Sequence, residues 1–440
     1  MAHATAESEL AVKRRWTLLG LAALAGLCLS MPATAQTRQP AAPPAKQSLV
    51  LPIPIPPSPK KEARDLRCVV SFGPPVPISA LAFAGDGRQL YVGGYREVLV
   101  WNLAEGRLDR RIGAGELKGV VRALALAGDD KLLVIGAGVA GRAGEVVLFD
   151  LEAGKLTARF SEPRDAVQCL AVSPDGQFLA AGAAEPNVYI WNLVDRKLIA
   201  TLPGHHEGAA GVSFSPDGKL LATGGTDRQL RLWEVDGWKE SSSLSLPEPI
   251  GDVAFSPDSA LVAAAVAGPS EWTIRLMRLT NTKEAGVFYA GGTAPLRMVW
   301  KPDEKVKKLY VGCSDNSVRA VTAGGSPPAV AWRGHADWVY GMAISRDGSR
   351  VASGSLDGTV RVWNEADGRP LAVLVQLSPG TDEWLISTPA GFLATSSPAS
   401  VQWRAKGLTM TQADLTAAFT DAESVRKVLA GEKLSPPELR

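Results

Sequence analysis

Apolar residues along this chain fall into short runs bounded by Gly, Pro, Asp and Ser, the length and punctuation expected of β-strands. One run recurs as Val98–Trp101, Val146–Phe149, Val188–Trp191, Leu230–Trp233, Ile274–Met277, Val318–Val321 and Val360–Trp363, each closing on an aromatic or other apolar side chain. Successive ends stand 48, 42, 42, 44, 44 and 42 residues apart. Ahead of every run lies a second apolar strand end, at Phe83, Leu126, Val172, Phe214, Phe255, Trp300 and Ile344, followed by a turn. The clearest turns are Ser173-Pro174-Asp175-Gly176, Ser215-Pro216-Asp217-Gly218 and Ser256-Pro257-Asp258, with Ser345-Arg346-Asp347-Gly348 as a variant. Pro presets one turn dihedral, Asp bonds its own backbone and Gly tolerates positive φ, so each predicts a tight antiparallel connection.

A unit of this size, with three or four short strands, cannot bury both faces of its own sheet, whereas a ring of such sheets can. The repeat therefore predicts an all-β chain, a seven-bladed β-propeller over residues 66–404. Eight blades are the alternative, because Trp403 stands 40 residues after Trp363 and the stretch between them holds further strand-like segments, Leu371–Leu377, Trp384–Ser387 and Phe392–Ala394. In the seven-blade reading Arg67–Phe72 supplies the strand that completes the final blade.

Two repeats carry more. Gly204-His205, Thr223, Asp227 and Trp233 recur as Gly334-His335, Ser353, Asp357 and Trp363, with 22 residues from His to Asp and 6 from Asp to Trp in both. These residues resemble the WD40 repeat family, and the resemblance covers roughly residues 66–404. It implies structural tetrads in which His, Ser or Thr, Asp and Trp brace a blade through side-chain hydrogen bonds. Elsewhere Glu185 and Asp315 hold the Asp position while Ala143 and Tyr95 do not, so those blades are expected to rely on apolar packing. The segment after Trp363 is also similar to the closing element that follows the last repeat in many exported or multidomain bacterial WD40 proteins.

The ends of the chain read differently. Lys13-Arg14-Arg15, an apolar run of 14 residues from Trp16 to Leu29, Pro32 and Ala33-Thr34-Ala35 follow the order of a cleavable signal peptide over residues 1–35. A run of 14 is short of the roughly 20 residues a membrane-spanning helix needs, so export to the periplasm or the extracellular space is expected, with no transmembrane span after cleavage. Residues 36–65 contain eight prolines and are expected to form a disordered, extended linker. Over residues 405–440, Thr411 to Asp414 and Asp421 to Gly431 carry helix start and stop signals, predicting a short helical extension.

Composition narrows the function. Lys plus Arg number 47 against 45 Asp plus Glu, which gives no field for gathering phosphates, so no nucleic-acid partner is expected. Cleavage would leave Cys68, Cys169 and Cys313, an odd number in strand-like segments, read as small core residues and not a disulfide framework. Gly136-Ala137-Gly138-Val139-Ala140-Gly141 matches a dinucleotide fingerprint, but only Arg142 to Glu145 separate it from the next strand, too few for the crossover helix. An enlarged inter-strand loop is the reading adopted. Of four histidines, His3 leaves with the signal, His205 and His335 serve the tetrads and His206 stands beside them. No catalytic triad, metal site or cofactor site is expected.

What remains is loop surface, where function on such scaffolds resides. Aligning the two best repeats pairs Glu207 with Asp337 and Gly208 with Trp338, in a loop that the family resemblance places at the ligand-contacting end. Trp338 beside a carboxylate has the composition of an interface anchor, and Tyr95 is a further candidate. The expectation is a non-enzymatic, monomeric scaffold binding a protein or peptide through Trp338, Asp337, Glu207 and Tyr95. The alternative is a propeller hydrolase or dehydrogenase with a metal or cofactor in a central channel.

Overall fold

The computed structural model of the protein describes residues 47–52, 66–268, 272–279, 283–290, 292–303, 307–322, 330–404 and 410–437. The expected signal peptide and most of the linker, with His3 and Cys28, lie outside these residues. Seven antiparallel sheets follow one another along the chain. Blade 1 spans residues 81–112, blade 2 120–160, blade 3 167–202, blade 4 209–245, blade 5 250–290, blade 6 295–333 and blade 7 339–376. The third strand of every blade contains the recurrent run that the sequence marked, from Val98–Asn102 in blade 1 to Thr359–Asn364 in blade 7. The fold is a seven-bladed β-propeller.

The turns after the first strands hold by more than Asp and Gly. In blades 3, 4, 5 and 7 the Ser hydroxyl donates to the Asp two residues on, at 2.5–2.6 Å. The same Ser oxygen accepts the N–H of the residue that opens the second strand, Phe178, Leu220, Leu261 or Arg350. Each turn is thus a closed polar knot outside an apolar strand pair, which fixes strand register without core volume.

The described residues form two compact units. One comprises residues 125–315 and 319–330, the other residues 66–124, 316–318 and 331–437 together with the strand Gln47–Pro52. In the first, blades lean on their sequence neighbours through apolar clusters, such as Trp191 and Leu179 of blade 3 with Val146 and Leu148 of blade 2. In the second, blade 1 packs against blade 7, with Ile78 N–H donating to Ser355 O at 3.0 Å and one cluster shared by Leu90, Trp101, Val360 and Leu374.

Several expectations are corrected here. There is no eighth blade: Trp384–Ser387 and Leu393–Thr395 continue blade 7 as its fifth and sixth strands. Because blade 7 already has its own fourth strand, Pro370–Gln376, that edge is taken and Arg67–Phe72 does not complete it. Arg67–Phe72 instead lies between Gln47–Pro52 and Val401–Arg404 in a separate three-stranded sheet. Part of the expected linker, Gln47–Pro52, is therefore an ordered strand.

The glycine cluster is not an enlarged loop either. Leu132–Val139 and Ala143–Asp150 form a tight hairpin with Gly138 opposite Gly144, and no helix follows. A Cβ on Gly138 would come within 2.6 Å of Ala166 Cα, and one on Gly144 within 2.0 Å of Asp165 O. The glycines are there because the next blade's entering backbone passes at contact distance.

The C-terminal extension forms two helices, α1 (Gln412–Phe419) and α2 (Ala422–Leu429). Thr411 and Asp414 make a capping box for α1, and Asp421 caps α2, as their start signals implied. Leu415 and Phe419 pack with Cys68, Val70 and Trp403, and Val425 and Leu429 with Leu103 and Leu108 of blade 1 and Leu371 of blade 7. Cys68, Cys169 and Cys313 are free thiols in the core, and burial pushes each up to about 12.

Candidate functional site

Both expected tetrads are assembled. In blade 4 the His205 ring contacts Asp227 Oδ1 through Nδ1 at 3.0 Å and Thr223 Oγ1 through Nε2 at 2.8 Å, and Trp233 Nε1 donates to Thr223 Oγ1 at 3.0 Å. Blade 7 repeats this, with His335 to Asp357 at 3.1 Å and to Ser353 at 2.8 Å, and Trp363 Nε1 donating to Ser353 Oγ at 2.8 Å. Each hydroxyl accepts the indole proton and so has its own proton for imidazole Nε2, which assigns a neutral ring donating through Nδ1 to the carboxylate. Burial lowers the pKa of His205 and His335, in keeping with neutral rings. Both ring nitrogens are committed to these bonds, so the histidines brace their blades.

The Gly before each His has a reason the sequence reading missed. Arg231 and Arg361, from the third strands of blades 4 and 7, reach back and donate to Gly204 O at 2.9 Å and Gly334 O at 2.6 Å. A Cβ on Gly334 would lie 2.6 Å from Arg361 Nη1. The guanidinium occupies the place of a side chain and locks the loop that carries Asp337 and Trp338.

Blades without the tetrad do not rest on apolar packing alone. Buried Glu97 accepts from Arg111 Nε at 2.6 Å in blade 1, and buried Glu145 pairs with Arg159 in blade 2. In blade 3 Glu185 takes the Asp role, accepting Arg164 N–H at 2.8 Å. In blade 6 Thr293 and Ser314 bond each other at 3.0 Å, while Asp315 pairs with Arg319 at 2.6 Å. Between blades 5 and 6 Asp252 accepts Met298 N–H at 2.7 Å and faces Arg297 at 3.3 Å, and burial raises its pKa. A Glu just before the recurrent apolar run, with an Arg 14 residues on, was the visible signal for the first two pairs.

The candidate contact residues sit on loops held from beneath. Tyr95 is 54% exposed at the turn between the second and third strands of blade 1. Arg96 follows in a left-handed conformation, φ 63°. Its N–H donates to Gly119 O at 2.7 Å, Nε to Leu117 O at 3.0 Å and Nη2 to Gly115 O at 2.5 Å. Strain at a non-glycine residue persists where surrounding bonds over-determine it, and here they hold the turn that presents Tyr95.

Asp337 is exposed, accepts Trp338 N–H at 2.8 Å, and its carbonyl accepts from Ser355 Oγ at 2.9 Å. Trp338 is half-buried, its ring 6.2 Å from that of Tyr340 at 34°. Tyr340, which the sequence did not single out, lies two residues on, in the first strand of blade 7. Tyr95, Asp337 and Trp338 belong to one unit. Glu207 is exposed on the equivalent loop of blade 4 in the other, with Gly208, buried at φ 134°, in the place of Trp338. His206 is exposed and donates its N–H to Asp227 at 3.2 Å.

Among the described residues no three His, Cys, Asp or Glu side chains cluster as metal ligands, and no helix is long and apolar enough to cross a membrane. Sequence comparison identifies the repeats. The WD40 family (WD domain, G-beta repeat) matches residues 154–192, 196–234 and 326–364. The first two matches begin at the outer strand of one blade and end on the third strand of the next.

Relatives include the transcription factor unc-37 of Caenorhabditis elegans, 29% identical over 30% of this chain and 22% of that protein. WD repeat-containing protein 18 of Danio rerio is 25% identical over 53% of this chain and 58% of its own length, and that of Bos taurus 24% over 52% and 57%. The chain thus spans less than two thirds of the length of each. These relatives are eukaryotic and lend nothing to a bacterial, exported type. With two tetrads in place, the chain is a seven-bladed β-propeller with three stretches similar to the WD40 repeat.

Proposed function

We propose that this protein is a non-enzymatic scaffold that binds another protein or peptide through the loops bearing Tyr95, Asp337 and Trp338. The observation that carries the reading is Tyr95, an aromatic side chain more than half in water on a turn clamped by three bonds from Arg96. A rigid aromatic loses little conformational freedom on binding, and aromatic anchors dominate interface energetics. The exposed carboxylate of Asp337 beside the Trp338–Tyr340 ring pair would add orientation by charge. The chain's near-neutral balance favours a protein partner over a nucleic acid, and binding as a monomer is part of the proposal.

A cross-linking pull-down with the Tyr95→Ala/Trp338→Ala double variant tests it. Partner recovery is expected to fall at least tenfold while the thermal unfolding curve stays unchanged, and undiminished recovery would reject this surface. Export is a separate proposal resting on residues 13–35. N-terminal sequencing of the cellular protein is expected to start at Gln36, and a start at Met1 or Ala2 overturns it.

A further inference from the structure

Blade 1 has the frame of a tetrad with its polar members replaced. Its register sets Val92 opposite Leu99 and Leu90 opposite Trp101, the places that Thr223 opposite Arg231 and Leu221 opposite Trp233 hold in blade 4. The position of His205, 18 residues before Thr223, falls in blade 1 on Pro74. A valine and a proline thus stand where two other blades offer a hydroxyl and an imidazole. Trp101 is 1% exposed, and its indole N–H has no acceptor among the described residues.

A cavity of about 20 Å³ lies at this spot, lined by Pro74, Val92, Gly94, Trp101, Leu374 and Gln376 among others. The Gln376 amide nitrogen donates to Glu97 Oε1 and to Thr381 O, each at 3.0 Å, which leaves the amide oxygen to accept. An orphaned indole N–H alone would not make a site. In blade 3 Ala181 holds the hydroxyl position opposite Tyr189 and Trp191 Nε1 also lacks an acceptor, but there Phe160 and Tyr189 stack on the indole at 5.2 and 5.8 Å. Blade 1 joins the orphaned donor to a cavity.

We infer that this cavity is a binding site for one water-sized hydrogen-bond acceptor, water itself, held on Trp101 Nε1 in the place of the tetrad hydroxyl. A water needs about 10–15 Å³ of such volume and at least two polar partners. It accepts from the indole and donates to the Gln376 amide oxygen, so the apolar replacements at Pro74 and Val92 leave no unsatisfied donor. The ligand does for blade 1 what Thr223 and Ser353 do for blades 4 and 7.

Two measurements test this. In a crystal structure that shows ordered solvent, a peak is expected about 2.7–3.2 Å from Trp101 Nε1, and crystals under xenon should take up no xenon there. A Val92→Thr variant should lose the peak, its own hydroxyl accepting from Trp101. In solution, the indole ¹H–¹⁵N resonance of wild-type Trp101 is expected at a hydrogen-bonded shift close to those of Trp233 and Trp363. Xenon in the cavity, a cavity holding neither xenon nor water, or an indole shift typical of an unbonded N–H would each overturn the assignment. The wild-type measurements stand even if Val92→Thr fails to fold.

Discussion

At the scale of single residues, the tetrads set the response to acid. The histidines have pKa values lowered by burial, so the folded state binds fewer protons than the unfolded chain below the ordinary histidine value of about 6.5. Their contribution is complete above that pH and is lost as pH falls through it. For Asp357, burial works against the charge, but hydrogen bonds from His335, Thr359 and Ala336 overcome it and hold the carboxyl down to about 2. Its stabilisation is present above the unfolded value near 3.8 and disappears between there and 2, worth roughly 2 kcal/mol in all. The urea midpoint should therefore be flat above about pH 6.5, fall slowly to pH 4 and fall steeply below it, and Asp357→Asn should flatten the last limb. A midpoint that rises on acidification would contradict the assigned neutral imidazoles. Ser353→Ala probes the same network. It strips an acceptor from Trp363 and a partner from His335 at once, and should cost about 2–4 kcal/mol by urea unfolding.

At the scale of elements, the sequence was legible wherever period and turn chemistry coincide. All seven third strands carry a short apolar run, and four carry a Ser-x-Asp knot upstream, so their number and order could be read directly. The tetrads were legible for the same reason, since a 22-residue and a 6-residue spacing recur in both. What could not be read depends on neighbours that are distant in sequence. The hairpin at Gly138 and Gly144 looked like a loop because nothing local says that Ala166 and Asp165 press on it. The strand Gln47–Pro52 was hidden by its prolines, and its partner at Arg67–Phe72 was assigned to an edge that Pro370–Gln376 had already taken. Of the contact candidates, Tyr95 was legible only as a missing Asp; the clamp from Arg96 that gives it value depends on carbonyls about 20 residues downstream. The glycine reading makes a graded prediction. Gly144→Ala drives a Cβ into the Asp165 carbonyl and should cost roughly 3 kcal/mol or more. Gly141→Ala meets no atom within 4 Å and strains only a φ of 68°, costing about 1 kcal/mol. Equal losses in chemical denaturation would mean the blade approach is not the constraint.

At the scale of the whole molecule, the junction of blades 1 and 7 differs from the others because it joins the two ends of the repeat array. Within each unit short connections in the chain join successive blades, whereas this junction brings together residues about 280 apart in sequence and must offset that entropy by contacts alone. The structure concentrates polar and apolar ties there. Glu97 of blade 1 accepts from Arg111, from Gln376 Nε2 at 3.0 Å and from Gly380 N–H at 3.2 Å in the hairpin between the fourth and fifth strands of blade 7, and Gly73 N–H donates to Leu377 O at 2.7 Å. Helix α2 then lays Val425 and Leu429 into the cluster that both blades share, so the C-terminal extension acts as a staple. Leu429→Ala should cost about 2–5 kcal/mol, as in a blade core, although the residue lies outside every repeat. Glu97→Ala should cost about 3 kcal/mol, since it takes the buried carboxylate from Arg111 and the acceptor from Gly380 N–H, leaving Arg111 only exposed Asp382 and Gln376 only Thr381 O. A chain ending after Arg404 should unfold at lower urea and with a smaller denaturant slope, because the freed blade 1 to blade 7 junction frays before the rest. If that truncated chain unfolds with the full slope and an unchanged midpoint, the junction stands without the staple and the helices are ornament to the fold.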